Sequence, residues 1–133
     1  MLFRSKARGA KRAVMLPVSA PFHSSLLRPA AQSLATYLQQ VNVKVPGIAV
    51  VNNVDVASER DPQRIKDALA CQACNPVRWV EIIRHMASSG VQQVVECGPG
   101  KVLGGLTRRI DTRLESFAIS DPPSMEQALQ ATL

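Results

Sequence analysis

Hydrophobic and polar residues follow one another along the chain in patterns that predict both strands and helices. A short apolar run over residues 12–18, ended by proline and polar residues, is typical of a strand. A second apolar run, over residues 47–56, breaks at an asparagine pair and predicts a buried strand that ends in a polar loop. Two further strands are predicted, one over residues 91–97 and a short one near Phe117.

Helices are predicted between these strands, where apolar residues recur at helical spacing. Asp-Pro at residue 61 and Asn-Pro at residue 75 are typical of helix starts, and Gly90 is typical of a helix end. Pro29 lies near the start of its segment, where proline is least damaging. The predicted helices cover residues 24–41, 61–74 and 75–89, the stretch after the glycines near residue 100, and the chain from Pro123 to its end.

Strands that alternate with helices favour parallel pairing, so the sequence predicts an α/β fold with a layered parallel-sheet core. Such a sheet is normally covered on both faces. About four short strands are few for an open doubly wound sheet, and the opening strand has no partner before it. We therefore expect the 133 residues to form the incomplete, later part of a larger domain.

Charge is distributed unevenly along the chain. The formal net charge is +6, and no acidic residue precedes Asp55. Three interpretations of the basic N-terminal part stay open: docking of an acidic protein or anionic ligand, a solvated basic face, and nucleic acid binding. Aromatic residues make up only 4% of the chain, which argues against a base-stacking platform.

The three cysteines, an odd number, and the lack of a secretory signal favour a reducing compartment, and we predict a cytoplasmic protein. No apolar run approaches the ~20 residues of a membrane span. Cys71 and Cys74 have the spacing of half a zinc site, but two further ligands with paired spacing are lacking. We expect two small side chains packed at the end of a helix, and no metal site.

One histidine has a position that suits chemistry. His23 lies in "PVSAPFHSSLL", where a predicted strand gives way to a helix, and loops at such junctions of α/β folds face the ligand crevice. Its imidazole is therefore a candidate general base. A histidine in a turn is as easily structural, and the 133 residues contain no Gly-x-Ser-x-Gly turn to hold a nucleophile. The residues alone leave both interpretations open.

Four separated segments together resemble one family. They are "AKRAVMLPVSAPFHSSLL", "VVNNVDV", "NPVRWVEII" and "ECGPGKVLGGLTRRI", and they stand in the order and at the spacing of the C-terminal portion of bacterial malonyl-CoA:acyl carrier protein transacylases. The resemblance covers residues 7–133, whereas residues 1–6 form an unmatched N-terminal extension. It implies that the chain is the C-terminal part of an acyltransferase domain.

The resemblance implies an enzyme of fatty-acid synthesis that moves malonyl from coenzyme A to acyl carrier protein through a malonyl-serine. It implies that His23 is the base and then the acid, and that the backbone carbonyl of Gln72 orients its ring. No cofactor is implied beyond the coenzyme A thioester substrate and the phosphopantetheine of the acceptor. The implied partners are malonyl-CoA and acyl carrier protein, with no nucleic acid and no membrane.

Further positions around the site follow from the same resemblance. Phe22 corresponds to a position where a ring would crowd a branched acyl unit, and Val18 and Val102 correspond to pocket-lining positions. Acyl carrier proteins are acidic, and the family receives them on a basic rim. The basic residues that resemble this rim are Arg108, Arg109, Lys11 and Arg12.

In this family the serine elbow, an oxyanion-hole glutamine and a malonyl-binding arginine lie upstream of the matched portion. We therefore expect the 133 residues alone to be inactive, although the parent is an enzyme. The alternative is a self-contained basic binding module that docks an acidic protein or RNA. A third hypothesis for the function of the chain is a small module with a Cys-bound metal.

Overall fold

The computed structural model describes residues 2–14 and 17–132. Within these residues it contains six α-helices and two β-strands, and no helix there is long and apolar enough to cross a membrane. In chain order the elements are α1 (Leu2–Ala7), α2 (Arg28–Leu38), α3 (Pro62–Gln72), α4 (Trp79–Ser88), β1 (Gln93–Cys97), α5 (Val102–Ile110), β2 (Glu115–Ile119) and α6 (Pro122–Thr132). A short 3₁₀ helix, Ser25–Leu27, leads into α2.

The sheet is a single parallel pair. β1 and β2 run side by side, with Gln93 opposite Glu115 and Cys97 opposite Ile119. The connecting helix α5 contacts both strands, α6 contacts β2, and α4 contacts α5, while α2 packs on α3. The predicted α/β class with parallel pairing is confirmed, but the described residues form two strands rather than about four.

The strand predicted over residues 47–56 is wrong. Only Val51 pairs there, in an isolated antiparallel bridge to Ser58, and the side chains of Ile48 and Val50 are 84% and 61% exposed. A strand needs a neighbouring strand for its backbone N–H and C=O groups, and neither β1 nor β2 pairs with this segment. The predicted strand over residues 12–18 includes Met15 and Leu16, which lie outside the described residues; its described flanks are irregular.

Helix α3 begins where the sequence predicts, because its first turn is capped. The Asp61 carboxylate accepts hydrogen bonds from the backbone N–H groups of Gln63, at 2.8 Å, and Arg64, at 3.0 Å. Pro62 occupies the first helical position, where its missing N–H costs nothing. This local signal needs no tertiary partner.

Helix α4 begins at Trp79, later than the Asn-Pro signal predicts. The Asn75 side chain does not cap α4; its Nδ2 donates to the Cys71 carbonyl of α3 at 2.8 Å. The backbone N–H of Arg78 donates to the Asn53 carbonyl at 3.0 Å. Residues 75–78 therefore join α3, α4 and the loop that follows Val51. Gly90, with φ of 88°, ends the segment after α4 as predicted.

The core of the described residues is small for a chain of 14.4 kDa. The accessible surface is 10279 Å², whereas a folded monomer of this mass exposes roughly 6,800 Å². The buried apolar side chains are Ala31, Leu38, Ala68, Ala70, Ile82, Ile83, Leu114 and Ala128. Much apolar surface is therefore left in contact with water.

Gly104 packs α5 directly against the sheet. Its N–H donates to Glu96 Oε2 at 2.8 Å, and a Cβ there would lie 2.8 Å from Ser116 Oγ and 3.5 Å from Glu96 Oε2. Gly105 is the matched control, since a Cβ on that residue would meet nothing within 4 Å.

We expect Gly104→Ala to lower the free energy of unfolding by about 1–3 kcal/mol through overpacking. Gly105→Ala should raise it by about 0.4–1 kcal/mol, because alanine restricts the unfolded chain. Urea unfolding followed by circular dichroism, at a concentration low enough to keep the chain monomeric, measures both values. Equal stability of the two variants would mean that α5 does not pack on the sheet in this way.

Candidate functional site

His23 lies in an exposed turn and is held there by two hydrogen bonds. Its backbone is in the left-handed region, with φ of 58°, which non-glycine residues seldom adopt and which costs about 1–3 kcal/mol. The His23 N–H donates to the Ala73 carbonyl at 3.2 Å, and its ring Nδ1 lies 3.0 Å from the Gln72 carbonyl oxygen. Both contacts come from the turn that ends α3, so this turn fixes the backbone and the ring together.

The C-terminal end of α3 supplies these acceptors because a helix leaves its last carbonyls without intrahelical partners. The Cys71 carbonyl accepts from Asn75 Nδ2 at 2.8 Å and from the Cys74 N–H at 3.2 Å. The next two carbonyls, of Gln72 and Ala73, accept from His23.

The partner of Nδ1 determines the tautomer of the His23 ring. A carbonyl oxygen only accepts hydrogen bonds, so Nδ1 must carry the hydrogen and Nε2 of the neutral ring has a free lone pair. Among the described residues no carboxylate bonds to the ring. The predicted contact between His23 and Gln72 is confirmed as a hydrogen bond, whereas its catalytic role stays a prediction.

The other predicted site residues are not joined to this pair by hydrogen bonds. Val18, Phe22 and Val102 are exposed, and Phe22 as a residue is 65% accessible. Their assignment to an acyl pocket stays a prediction.

The predicted basic rim divides into two kinds of residue. Arg108 Nη2 donates to the Ser116 carbonyl of β2 at 2.6 Å, so this guanidinium ties α5 to the sheet. Lys11, Arg12 and Arg109 are exposed, and their side chains make no hydrogen bond or ion pair with other described residues. Their role in docking a carrier protein stays a prediction.

An apolar groove of about 810 Å³ opens between α3, α4 and β1. Leu69 and Gln72 line its α3 side, Trp79 and Ile82 its α4 side, and Val95 its sheet side. The indole Nε1 of Trp79 is buried and has no acceptor among residues 2–14 and 17–132.

Arg78 is not among the residues predicted from the sequence, yet it holds the loop of "VVNNVDV" against α4. Its backbone N–H donates to Asn53, its Nη1 donates to the Val54 carbonyl at 3.1 Å, and its guanidinium pairs with Glu81. The hydrogen bond from Arg78 lowers the pKa of Glu81. Asn52 shapes the loop, since its Oδ1 accepts from the N–H of Asp55 at 2.8 Å. One sequence signal could have pointed to these residues. Arg78 is a polar residue inside "NPVRWVEII", and Asn52 and Asn53 are polar residues inside "VVNNVDV", two of the four segments that resemble the family.

The chain is similar in sequence and in fold to known proteins, although no family model matches it. The malonyl CoA-acyl carrier protein transacylase of Escherichia coli (strain K12) is 48% identical over 125 residues, which are 94% of this chain and 40% of that protein. The structure of acyl-carrier-protein S-malonyltransferase from Burkholderia pseudomallei 1710b superposes with a TM-score of 0.90 and 58% identity, over 97% of this chain and 42% of that one.

A second similar structure is a malonyl-transacylase in complex with its type II PKS acyl-carrier protein. It superposes with a TM-score of 0.90 and 46% identity, over 95% of this chain and 41% of that one. The chain therefore spans about two fifths of the length of the relatives that it matches.

Proposed function

The chain is homologous, along nearly all of its length, to malonyl CoA-acyl carrier protein transacylases, and on this premise we propose that it supplies the histidine-bearing part of such an enzyme. The enzyme moves malonyl from coenzyme A to acyl carrier protein in the cytoplasm, as a step of fatty-acid synthesis. The observation that carries the proposal is the hydrogen bond of 3.0 Å between His23 Nδ1 and the Gln72 carbonyl. This hydrogen bond supports the assignment of His23 as a base whose ring is oriented by a main-chain carbonyl.

In the proposed mechanism His23 moves one proton in each direction. Its Nε2 accepts the proton of a serine hydroxyl as that oxygen attacks the malonyl thioester, and it returns the proton to the departing coenzyme A thiol. In the second half-reaction the same nitrogen accepts the proton of the phosphopantetheine thiol and returns it to the serine. The Gln72 carbonyl keeps Nδ1–H in place throughout, so that Nε2 remains the reactive atom.

The apolar groove has a role in this proposal. The relatives carry about three fifths of their length outside the matched portion, and we assign a part of that length to the groove. A covering segment would bury the apolar walls of the groove. Nothing in the described residues favours the alternative of a self-contained basic binding module, because a self-contained fold would bury these surfaces.

A chimera tests the proposed function directly. The 125 aligned residues of this chain replace the matching 40% of the Escherichia coli transacylase, and transfer of radiolabelled malonyl from coenzyme A to acyl carrier protein is measured. We expect turnover by the chimera and none by the Escherichia coli protein that lacks the replaced portion. A chimera that unfolds as cooperatively as its parent but transfers no malonyl would contradict the proposal.

Substitution of two neighbouring arginines distinguishes an effect on carrier docking from an effect on folding. In the chimera, Arg109→Glu should slow transfer to the acidic carrier several-fold at low salt while malonyl loading from coenzyme A is unchanged, because charge steering acts on the encounter rate. Arg108→Glu should lower thermal stability as well, since it removes the hydrogen bond to Ser116. If Arg109→Glu slows both half-reactions equally, its side chain serves coenzyme A or the fold and not the carrier.

A further inference from the structure

We propose that Cys71 and Cys74 form an oxidisable dithiol site, which takes a small disulfide such as glutathione disulfide as its oxidant. Closure of an intramolecular disulfide at this site releases His23 from the turn that holds it. Formation of the disulfide is independent of the proposed function, whereas its effect on catalysis rests on that function.

The two cysteines bracket one tight turn at the end of α3. The Cys74 N–H donates to the Cys71 carbonyl at 3.2 Å, and a turn closed in this way has its end Cα atoms less than about 7 Å apart. The Cys74 thiol points back along the turn, with Sγ 3.7 Å from the Cys71 carbonyl oxygen. Cys71 is exposed and Cys74 is half-buried, so an oxidant in solution can reach the first sulfur.

Closing the disulfide requires a movement of this turn. Side chains three residues apart on a helical turn have Cβ atoms about 5–6 Å apart, whereas a disulfide needs about 3.5–4.5 Å. The backbone of the two residues between the cysteines must therefore move to shorten the distance between the two Cβ atoms. These residues are Gln72 and Ala73, whose carbonyls are the two acceptors that hold His23. The oxidation state of the pair is thereby coupled to the backbone and the ring of His23.

The chemistry is thiol–disulfide exchange. The Cys71 thiolate attacks one sulfur of glutathione disulfide and releases one glutathione thiolate, leaving a mixed disulfide on Cys71. The Cys74 thiolate then attacks the Cys71 sulfur and releases the second glutathione. Two electrons pass from the cysteine sulfurs to glutathione disulfide, and the two thiol protons are taken up by the glutathione products.

Metal binding is the competing use of such a pair, and it needs further ligands. Residues 2–14 and 17–132 hold no group of three or more His, Cys, Asp or Glu side chains that could bind a metal ion. Cys97, at the end of β1, is also exposed and would form mixed disulfides of its own. Cys97→Ser is therefore the background for the test.

The test uses the Cys97→Ser chain at high dilution, in glutathione buffers of increasing oxidised fraction. Mass spectrometry should find a monomer lighter by two hydrogens, with no thiol left to alkylate. Hydrogen exchange of the same samples should find the His23 amide protected in the reduced chain and unprotected after oxidation, while the amides of α4 keep their protection. Cys71→Ser and Cys74→Ser should abolish both responses.

Three outcomes would overturn the proposal. They are stable mixed disulfides or cross-linked dimers in place of the intramolecular bond, an unprotected His23 amide in the reduced chain, and an oxidised chain in which the His23 amide stays protected. None of these measurements requires transacylase activity. A chimera that fails to turn over therefore leaves this test unaffected, and the two proposals fail separately.

Discussion

His23→Ala in the chimera is expected to lower the rate of malonyl transfer by about 10²- to 10⁴-fold, the usual contribution of a positioned general base. Each half-reaction deprotonates a hydroxyl or a thiol and later returns that proton, and the alanine side chain can do neither. The hydrogen bond to Gln72 holds the ring in the tautomer that leaves Nε2 free, so the loss should fall on turnover more than on the apparent affinity for malonyl-CoA. Steady-state kinetics of both half-reactions measure it.

His85→Ala is the matched control, because His85 is the only other histidine and lies exposed on α4. It should keep the activity of the unaltered chimera within about twofold, as surface substitutions away from special contacts usually do. Thermal unfolding of both variants separates loss of chemistry from loss of structure. If His23→Ala folds normally and transfers malonyl at the unaltered rate, His23 is a structural turn residue.

The 133-residue chain by itself is expected to associate with itself and to bind a hydrophobic dye strongly. Its accessible surface of 10279 Å² is roughly 1.5 times the value for a folded monomer of this mass, and the groove of about 810 Å³ has apolar walls. Exposed apolar patches and an unpaired sheet edge are both sites of association. Analytical ultracentrifugation and dye fluorescence over a range of protein concentrations measure the two effects.

Co-expression with the remaining part of the Escherichia coli transacylase is the control, because that part should cover the exposed apolar surface. Dye binding should then fall and a defined heterodimer should replace the larger species. A monomer of the chain alone that unfolds cooperatively and binds no dye would contradict both this prediction and the assignment of the groove.

Local signals predicted those elements whose stability comes from neighbouring residues. Asp61 and Pro62 cap and start α3, and β1, α5 and β2 follow one another closely enough to form their own parallel pair. The segment at residues 47–56 has an equally apolar pattern but no strand beside it among the described residues, so pattern alone predicted a strand that does not form. Strand prediction depends on a partner that a local pattern cannot supply.

The candidate site shows the same division. His23 could be selected from its position before a helix, and Gln72 from the family resemblance. The hydrogen bonds of the turn that ends α3 could not be predicted in the same way. Asn75 was interpreted as the start of the following helix, because Asn-Pro is typical of such starts. Its amide instead bonds the Cys71 carbonyl of the preceding helix. The left-handed backbone of His23 also has no sequence signal, since it follows from contacts 49 residues away.

The atoms that hold His23 belong to the main chain, and this has a genetic consequence. Every amino acid carries a carbonyl, so a library of all substitutions at position 72 should yield many functional alleles, apart from those that break the helix end or disturb the groove that Gln72 lines. A screen of this kind would score the position as tolerant even though its oxygen orients the candidate base. Chemical synthesis that replaces single backbone amides by esters would detect it, because an ester carbonyl is a weaker acceptor. The positioning of this histidine is thus hidden from substitution at position 72, and it is revealed by changes to the backbone itself or by changes that move the turn.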